Sequence, residues 1–389
     1  MLTSVVLQAD FWCNSIMKKH LVLVGGGHAH LKVILRTYDY VQRGHKVTLI
    51  SPSPYHYYSG MGPGMLSGIY RPQEMRFNIK KMSQDRGATY VQDPAVSINP
   101  QNHTVILQSG DRISYDLISF NIGSTIAGND IGSSVQNVFP VKPIENLLHA
   151  KKYILGLRPH KHISVLIVGG GPAGVEIAAN VWKLTQDTGL SAHISIISAS
   201  SLLDTYPRKM QIVARKSLAE RGIEIIENVP SKSLDKDRVI LEDGKTKDYH
   251  IVFLATGVRP PLLFKNSGLP VGGDGGLLVN AYLQNETYPE IFGGGDCIYF
   301  QDRPLPKVGV YAVRENDILY HNLFASLEGG MLKSFIPQRY YMLILNMGDG
   351  TGILWKNGLV WHSRTAFHLK NYIDRKMMRT YQVSGELSE

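Results

Sequence analysis

The chain of 389 residues contains only two cysteines, Cys13 and Cys297. They form no Cys-x-x-Cys pair and no zinc-like spacing, which argues against a disulfide framework, a thiolate metal site and a paired-thiol redox centre. No metal is expected. No run reaches the roughly eighteen apolar residues of a membrane-spanning helix. There is no dense Lys/Arg tract and no nucleic-acid module, so nucleic acid is not an expected partner. Residues 1–17 contain Asp10 and lack a basic leading region. They read poorly as a signal peptide and are expected to be a disordered extension.

What the chain has in excess is glycine, 38 residues, and positive charge, +9 in all. Glycine suits tight turns and close backbone approach to ligands. The basic balance suits anionic partners such as nucleotides or an acidic membrane surface, and equally a solvated basic face.

The glycines are placed in a pattern. His20–Val24 is a short apolar run ending in Gly25-Gly26-Gly27, then a helical stretch to about Gln42 and a second strand at Lys46–Ile50. The pattern restarts with Ile163–Val168, Gly169-Gly170-Gly171, a helix over Gly174–Thr185 and a strand at His193–Ile197. Each is a βαβ unit with a glycine turn, so the chain is read as two dinucleotide-binding domains. A glycine turn there lets the backbone approach a pyrophosphate, which rests on free N–H groups at the helix start. The second fingerprint is complete at Gly169, Gly171 and Gly174, with Pro172 and Ala173 inside it. In the first, Gly25 and Gly27 are followed by His28, Ala29 and then His30 in place of the third glycine. Both lack the acidic residue expected about twenty positions on. Ser51 ends one second strand, where it can meet an adenosine ribose. Ser198 and Ser200 end the other and leave NADH against NADPH open, with Arg208 and Lys209 as candidate phosphate partners.

Pro52–Gly68 reads as a loop of Gly, Pro, Ser and Tyr, and Ser109-Gly110-Asp111 as a hairpin turn. After Phe335 the character changes to strands at Tyr340–Leu345 and Leu359–Val360, then a basic helix over Arg364–Tyr381. On that helix Ala366, Leu369, Ile373 and Met377 form an apolar stripe flanked by Lys370, Arg375, Lys376 and Arg379. Such a helix fits either its own core or an anionic membrane.

Four landmarks in order make the sequence resemble the two-dinucleotide-binding flavoproteins of the pyridine nucleotide-disulfide oxidoreductase superfamily. They are the Gly25 turn, Tyr115–Ile118 followed by Gly123, Ala255-Thr256-Gly257, and Gly294-Gly295-Asp296. Within it, Gly25–His30, Tyr58–Gly64, Pro140–Ile144, Pro306–Arg314 and Leu369–Arg375 resemble the NADH-dehydrogenase-like domain fused to some bacterial selenide, water dikinases. The chain is also similar to type II NADH dehydrogenases.

The resemblance implies an α/β, glutathione-reductase-like fold. Residues 18–137 with 261–328 form an FAD domain, 138–260 an NAD(P)H domain, and 329–389 a small α+β region. It implies FAD contacts at Gly25, Gly27, His28, Ala29, Ser51, Ser59, Gly60, Met61, Gly123, Asp296 and Val308. NAD(P)H contacts are implied at Gly169, Gly171, Pro172, Ala173, Gly174 and Gly257. Glu176 would face the nicotinamide and Lys142 the flavin. Val308-Gly309, after Pro306, is expected to open a helix aimed at the flavin. The implied activity is electron transport from NAD(P)H through FAD to a quinone or similar acceptor. A soluble sulfur- or selenium-related reductase and a non-catalytic redox sensor are the alternatives. Cys297 is expected to be a packed, inert thiol. The expected location is cytoplasmic or peripheral on the inner face of a membrane, and a homodimer is compatible with the sequence.

Overall fold

The computed structural model describes residues 18–126, 137–157 and 162–388. The expected N-terminal extension, 1–17, lies outside the described residues. Two five-stranded parallel sheets organise the chain. The first holds β1 (His20–Val24), β2 (Lys46–Ile50), β3 (Thr89–Val91) and β4 (Leu117–Phe120) with a late strand, Ile291–Gly293. The second holds β5 (Val138–Pro140), β6 (Ile163–Val168), β7 (Ala192–Ile197), β8 (Glu224–Ile226) and β9 (Ile251–Leu254). With Ile291–Gly293 as β10, the orders are β10-β4-β1-β2-β3 and β5-β9-β6-β7-β8. The inner strands β1, β4, β6 and β9 are short apolar runs almost wholly buried, as parallel sheets require, while the edge strands β3 and β8 are only partly covered.

The internal repeat extends to individual hydrogen bonds. Gly25 N–H donates to Ile50 O and Gly169 N–H to Ile197 O, both at 2.8 Å. Asn121 N–H donates to Val24 O and Ala255 N–H to Val168 O, again both at 2.8 Å. Each half also inserts an antiparallel three-stranded meander, before β4 in the first and before β9 in the second. The first, 95–114, was legible from its Gly110 turn. The second, Ser231–Leu234, Arg238–Leu241 and Thr246–Asp248, gave no clear alternation and was not anticipated.

Three expectations about element boundaries are corrected. The helical stretch after the first turn is a 3-10 turn (His28–His30), α1 (Leu31–Leu35) and α2 (Thr37–Gln42), broken at Arg36. Pro52–Gly68 is not one loop: it contains a strand at Tyr55–Tyr57, a 3-10 turn at Ser59–Met61 and α3 (Gly62–Ser67). Pro63 sits in the first turn of α3 and Gly68, at φ +88°, ends it, so the same Gly and Pro residues punctuate a helix. The C-terminal sheet is β11 (Leu343–Asn346), β12 (Gly352–Lys356) and β13 (Leu359–Ser363), shifted from the expected Tyr340 start.

Four longer helices complete the frame: α4 (Glu145–Leu155), α5 (Pro172–Thr188), α6 (Arg208–Ala219) and α7 (Gly309–Glu328). The last helix, α8 (Arg364–Tyr381), is capped by Ser363, whose Oγ accepts from Ala366 N–H at 3.0 Å. Its buried face differs from the expected stripe. Ala366, Lys370, Asp374, Met378 and Tyr381 are buried, whereas Leu369 is 38% and Ile373 37% exposed. Lys370 is therefore no surface flank.

The regions meet at a buried joint of three side chains. Ser67 Oγ on α3 donates to Asn180 Oδ1 on α5 at 2.8 Å. Asn180 Nδ2 donates to Asn346 O on β11 at 3.1 Å. All three groups are removed from water and satisfied. No helix among the described residues is long and apolar enough to cross a membrane.

Candidate active site

The two glycine turns differ in how they use the third position. At the second, a Cβ on Gly174 would fall 1.8 Å from Gly169 O, so only glycine lets α5 pack on β6. At the first, His30 occupies the equivalent place and is fully buried. Its Nδ1 meets Gly25 O at 2.6 Å and its Nε2 meets Ser119 Oγ at 2.8 Å. The looser 3-10 start of the helix makes room for the ring, which ties turn to sheet. Burial pushes its pKa down to about 4, so the ring is neutral at pH 7.

Both turns fit a dinucleotide. Gly25, at φ +85°, has no room for a side chain: its Cβ would lie 2.3 Å from Asn121 O. Gly171 has open space where its Cβ would point, and it precedes α5 with no side-chain cap. The first-turn N–H groups of Ala173 and Gly174 thus face outward at the positive end of a 17-residue helix. Gly123 and Gly257 likewise border open space, at φ +69° and +98°. At the first turn, Ala29 N–H is taken by Asn121 Oδ1 at 3.0 Å, a contact the sequence did not announce. His28 Nε2 is buried with no hydrogen-bond partner among the described residues. Its Nδ1 meets His56 Nε2 at 3.1 Å. An orphaned buried nitrogen beside a glycine turn is what a missing polar ligand leaves behind.

The structure brings Lys142, Ser124 and Asp296 together. Lys142 Nζ lies 2.5 Å from Asp296 Oδ2 and 2.8 Å from Ser124 Oγ. Ser124 Oγ donates to Asp296 Oδ2 at 2.9 Å. The Gly294-Gly295-Asp296 turn is held from beneath by Glu315 on α7, whose Oε2 accepts from Gly295 N–H at 2.5 Å. Glu315 is 1% exposed, and burial pushes its pKa up to about 7. Helix α7 starts at Gly309 with no capping side chain, beside Ser59. Ser51 is buried and its hydroxyl donates to Ser53 O at 3.0 Å, leaving only acceptor capacity. Met61 is buried in the core, so of the 59–61 turn Ser59 and Gly60 are the accessible members. Cys297 is fully buried with its thiol pushed up to about 12 by burial.

Glu176 is half-buried on α5, where its Oε1 accepts from Asn346 N–H at 2.7 Å. Burial raises its pKa to about 7, against the pull of Lys370 and the Asn346 N–H. Sequence reasoning missed Lys370 as a site residue. Its Nζ is 2.7 Å from Asp374 Oδ2 and donates to Gly60 O at 2.6 Å. Tyr58 OH donates to Asp374 Oδ1 at 3.2 Å. Burial opposes the Lys370 charge, but Asp374 and Glu176 outweigh it, and its pKa is raised. The only sequence signal was the i,i+4 charge pair on an amphipathic helix, which ordinarily marks a solvated face.

Tyr58, Gly60, Lys370 and Asp374 line a cavity of about 650 Å³. Its walls are Val308, which precedes α7, Gly309 and Val313 of α7, Met342–Ile344, and Ile373 and Met377 of α8, with Tyr340 among its aromatic members. It shares Tyr58, Ser59, Gly60 and Val308 with the expected flavin loop. Its lining mixes these apolar side chains with the charged Arg314, Lys356, Lys370, Asp374 and Lys376, and its volume suits a small molecule.

Residues 19–315 match the family described as pyridine nucleotide-disulphide oxidoreductase. The chain is 29% identical to ferroptosis suppressor protein 1 of Xenopus laevis over 284 residues, 69% of this chain and 72% of that one. It is 23% identical over 361 residues to the alternative NAD(P)H-ubiquinone oxidoreductase C1 of Arabidopsis thaliana, 82% of this chain and 69% of that one. Among solved structures, NDH2 of Plasmodium falciparum in complex with NADH superposes with a TM-score of 0.79 at 16% identity, over 95% of this chain and 98% of that one.

Proposed function

The chain belongs to the pyridine nucleotide-disulphide oxidoreductase family, and from that premise we propose that it is an FAD-dependent NAD(P)H oxidoreductase that delivers electrons to a quinone. The observation that carries the reading is that Ser59, Gly60 and Val308, three of the expected flavin contacts, also line the 650 Å³ cavity, together with Tyr58. The names of relatives such as the NAD(P)H-ubiquinone oxidoreductase support the donor and acceptor classes. The net reaction is NAD(P)H plus quinone plus one proton giving NAD(P)⁺ plus quinol.

FAD, when bound, supplies the hydride and electron chemistry. This chain's residues bind and orient it. Residues 18–137 with 261–328 are proposed as its domain, with Gly25, Gly27 and His28 at the pyrophosphate end and Asp296, positioned by Lys142 and Glu315, at the ribityl hydroxyls. The uncapped N-terminus of α7 favours negative charge beside Val308. Residues 138–260 are proposed to hold NAD(P)H on the Gly169–Gly174 turn, with Glu176 at the nicotinamide side. Lys370 Nζ and Tyr58 OH are the polar end of the acceptor cavity and hold protons where an acceptor oxygen needs them. Region 329–389 supplies one wall of the cavity, through Met342–Ile344, Ile373 and Met377.

The exposed Leu369, Tyr372 and Ile373, with Lys376 and Arg379 on the same helix, are proposed as a contact with an anionic bilayer. A sulfur or selenium reductase is the weaker reading, because the buried Cys297 thiol cannot act as a thiolate near neutral pH. Purified protein is expected to show a flavin absorption spectrum and to bleach with NAD(P)H in the absence of oxygen. Failure of both nicotinamides to bleach bound flavin would sink the proposal.

A further inference from the structure

A dinucleotide-binding half tells NADH from NADPH at the end of its second strand. A carboxylate there accepts the ribose 2′-OH of NADH and repels the 2′-phosphate of NADPH. In the second half that strand is β7, which runs into Ser198-Ala199-Ser200-Ser201. Ser198 stands against the glycine turn itself, since a Cβ on Gly170 would fall 2.1 Å from its Oγ. Its backbone is fixed on both sides: the N–H donates to Ile226 O at 2.8 Å, and the carbonyl accepts from Val229 at 3.1 Å. The side chain that occupies the discriminating position is therefore firmly placed and uncharged.

The charges around it leave no carboxylate at that position. Glu227, which follows the neighbouring strand β8, is committed elsewhere. Its Oε1 accepts from Leu202 N–H and, at 2.6 Å, from Arg215 Nη2, while Oε2 accepts from Arg215 Nε at 3.2 Å. The Arg215 guanidinium holds the Glu227 pKa below the ordinary value and neutralises its charge locally. Arg208 and Lys209 open α6 at the far end of the same loop, both exposed and in no ion pair among the described residues. Their positive potential favours an anion over this loop. The remaining acid, Asp204, is exposed in a turn of the loop, with its N–H on Ser201 O at 3.1 Å.

The geometry points to a donor site that admits a ribose 2′-phosphate: NADPH is taken at least as well as NADH, and Ser198 is the residue that sets this. The inference rests on the reading of Gly169–Gly174 as the nicotinamide dinucleotide site.

Two fragments isolate the ribose from the chemistry. Calorimetric titration of the flavin-loaded protein with 2′,5′-ADP and with 5′-AMP compares the presence and absence of the 2′-phosphate alone. Binding of 2′,5′-ADP at least as tight as 5′-AMP is expected, and weaker binding overturns the inference. Ser198→Asp is expected to weaken 2′,5′-ADP relative to 5′-AMP by about tenfold, near 1.4 kcal/mol. Because Ser198 is buried, Ser200→Asp, at a part-exposed position, is the second variant with the same expectation. An unchanged ratio in both overturns the assignment. Asp204→Asn is expected to leave the NADH affinity as it was, and a loss there would make Asp204 the ribose carboxylate and overturn the inference. Anaerobic bleaching by either dinucleotide tests the parent reading separately. Fragment binding without bleaching sinks the oxidoreductase reading alone, and bleaching with rejection of 2′,5′-ADP sinks this one alone.

Discussion

Lys142 and Asp296, far apart in sequence, meet as an ion pair with Nζ 2.5 Å from Oδ2, and Ser124 bonds to both. Both side chains are largely shielded, so the pair is stronger than a surface salt bridge and fixes the Asp296 carboxylate beside its glycine turn. Asp296→Ala is expected to weaken FAD binding by tenfold or more, on the order of 1.5–3 kcal/mol for a lost charged hydrogen bond. Lys142→Ala is expected to weaken it less, because Ser124 still holds the carboxylate. Flavin released into a filtrate measures both. Equal retention of FAD by the Asp296 variant and the unaltered protein would remove Asp296 from the site.

Gly171 and Gly174 separate fold from ligand. A Cβ on Gly174 meets Gly169 O at 1.8 Å, whereas one on Gly171 meets nothing and its backbone is extended at φ −79°. Gly174→Ala is expected to lower the melting temperature. Gly171→Ala is expected to melt normally and to bind NAD(P)H more weakly, since the methyl group enters the ligand's space. Thermal melts with dinucleotide titration distinguish the two, and loss of stability in Gly171→Ala would contradict the account.

The buried Lys370–Asp374 pair makes a stability prediction. Lys370→Met leaves Asp374, 4% exposed, without its cation. The cost of such a stranded charge is about 3–5 kcal/mol. The double variant Lys370→Met with Asp374→Leu is expected to recover most of that loss while still turning over quinone poorly. Denaturant melts read the stability, and the apparent KM for a short-chain quinone reads the cavity. A single variant as stable as the unaltered protein would show that the pair is not desolvated.

Glu315 gives a pH slope. Burial raises its pKa from 4.5 to about 7, so the folded protein favours the protonated form. The stability it contributes is present in full below about 4.5 and fades as pH rises through about 7. Between about pH 5.5 and 8.5 the loss is about 2 kcal/mol from this group. Glu176 shifts in the same direction. Glu315→Gln is expected to flatten the fall in melting temperature over that range. A slope as steep as that of the unaltered protein would assign the dependence elsewhere.

Much of the frame was legible because it is local. A strand that ends in glycine and opens a helix is written in consecutive residues, and both parallel sheets follow from two such units. The Gly294-Gly295-Asp296 turn was legible for the same reason, being written in consecutive residues. The rest is written in contacts between distant segments. Nothing near Lys370 announces that Gly60, more than three hundred positions away, accepts from its ammonium. The helical stripe of Leu369 and Ile373 gave the wrong buried face because the α8 core-facing side carries a charge pair, which periodicity scores as surface. Consecutive residues show that His30 stands in the third glycine position but not what holds it there, which is Ser119 on one side and the Gly25 carbonyl on the other.

The proposed function requires electrons to pass from NAD(P)H to a quinone beside Ser59, Gly60 and Val308, where the expected flavin contacts line the cavity. Anaerobic stopped-flow absorbance of the flavin-loaded protein tests it directly, with NADPH mixed first and a short-chain quinone second. Bleaching is expected in the first mix and full recovery of flavin absorbance in the second, with recovery slowed in Val313→Trp, whose larger side chain fills the cavity. Recovery at the same rate in that variant, or bleaching with no recovery by any quinone, would contradict it.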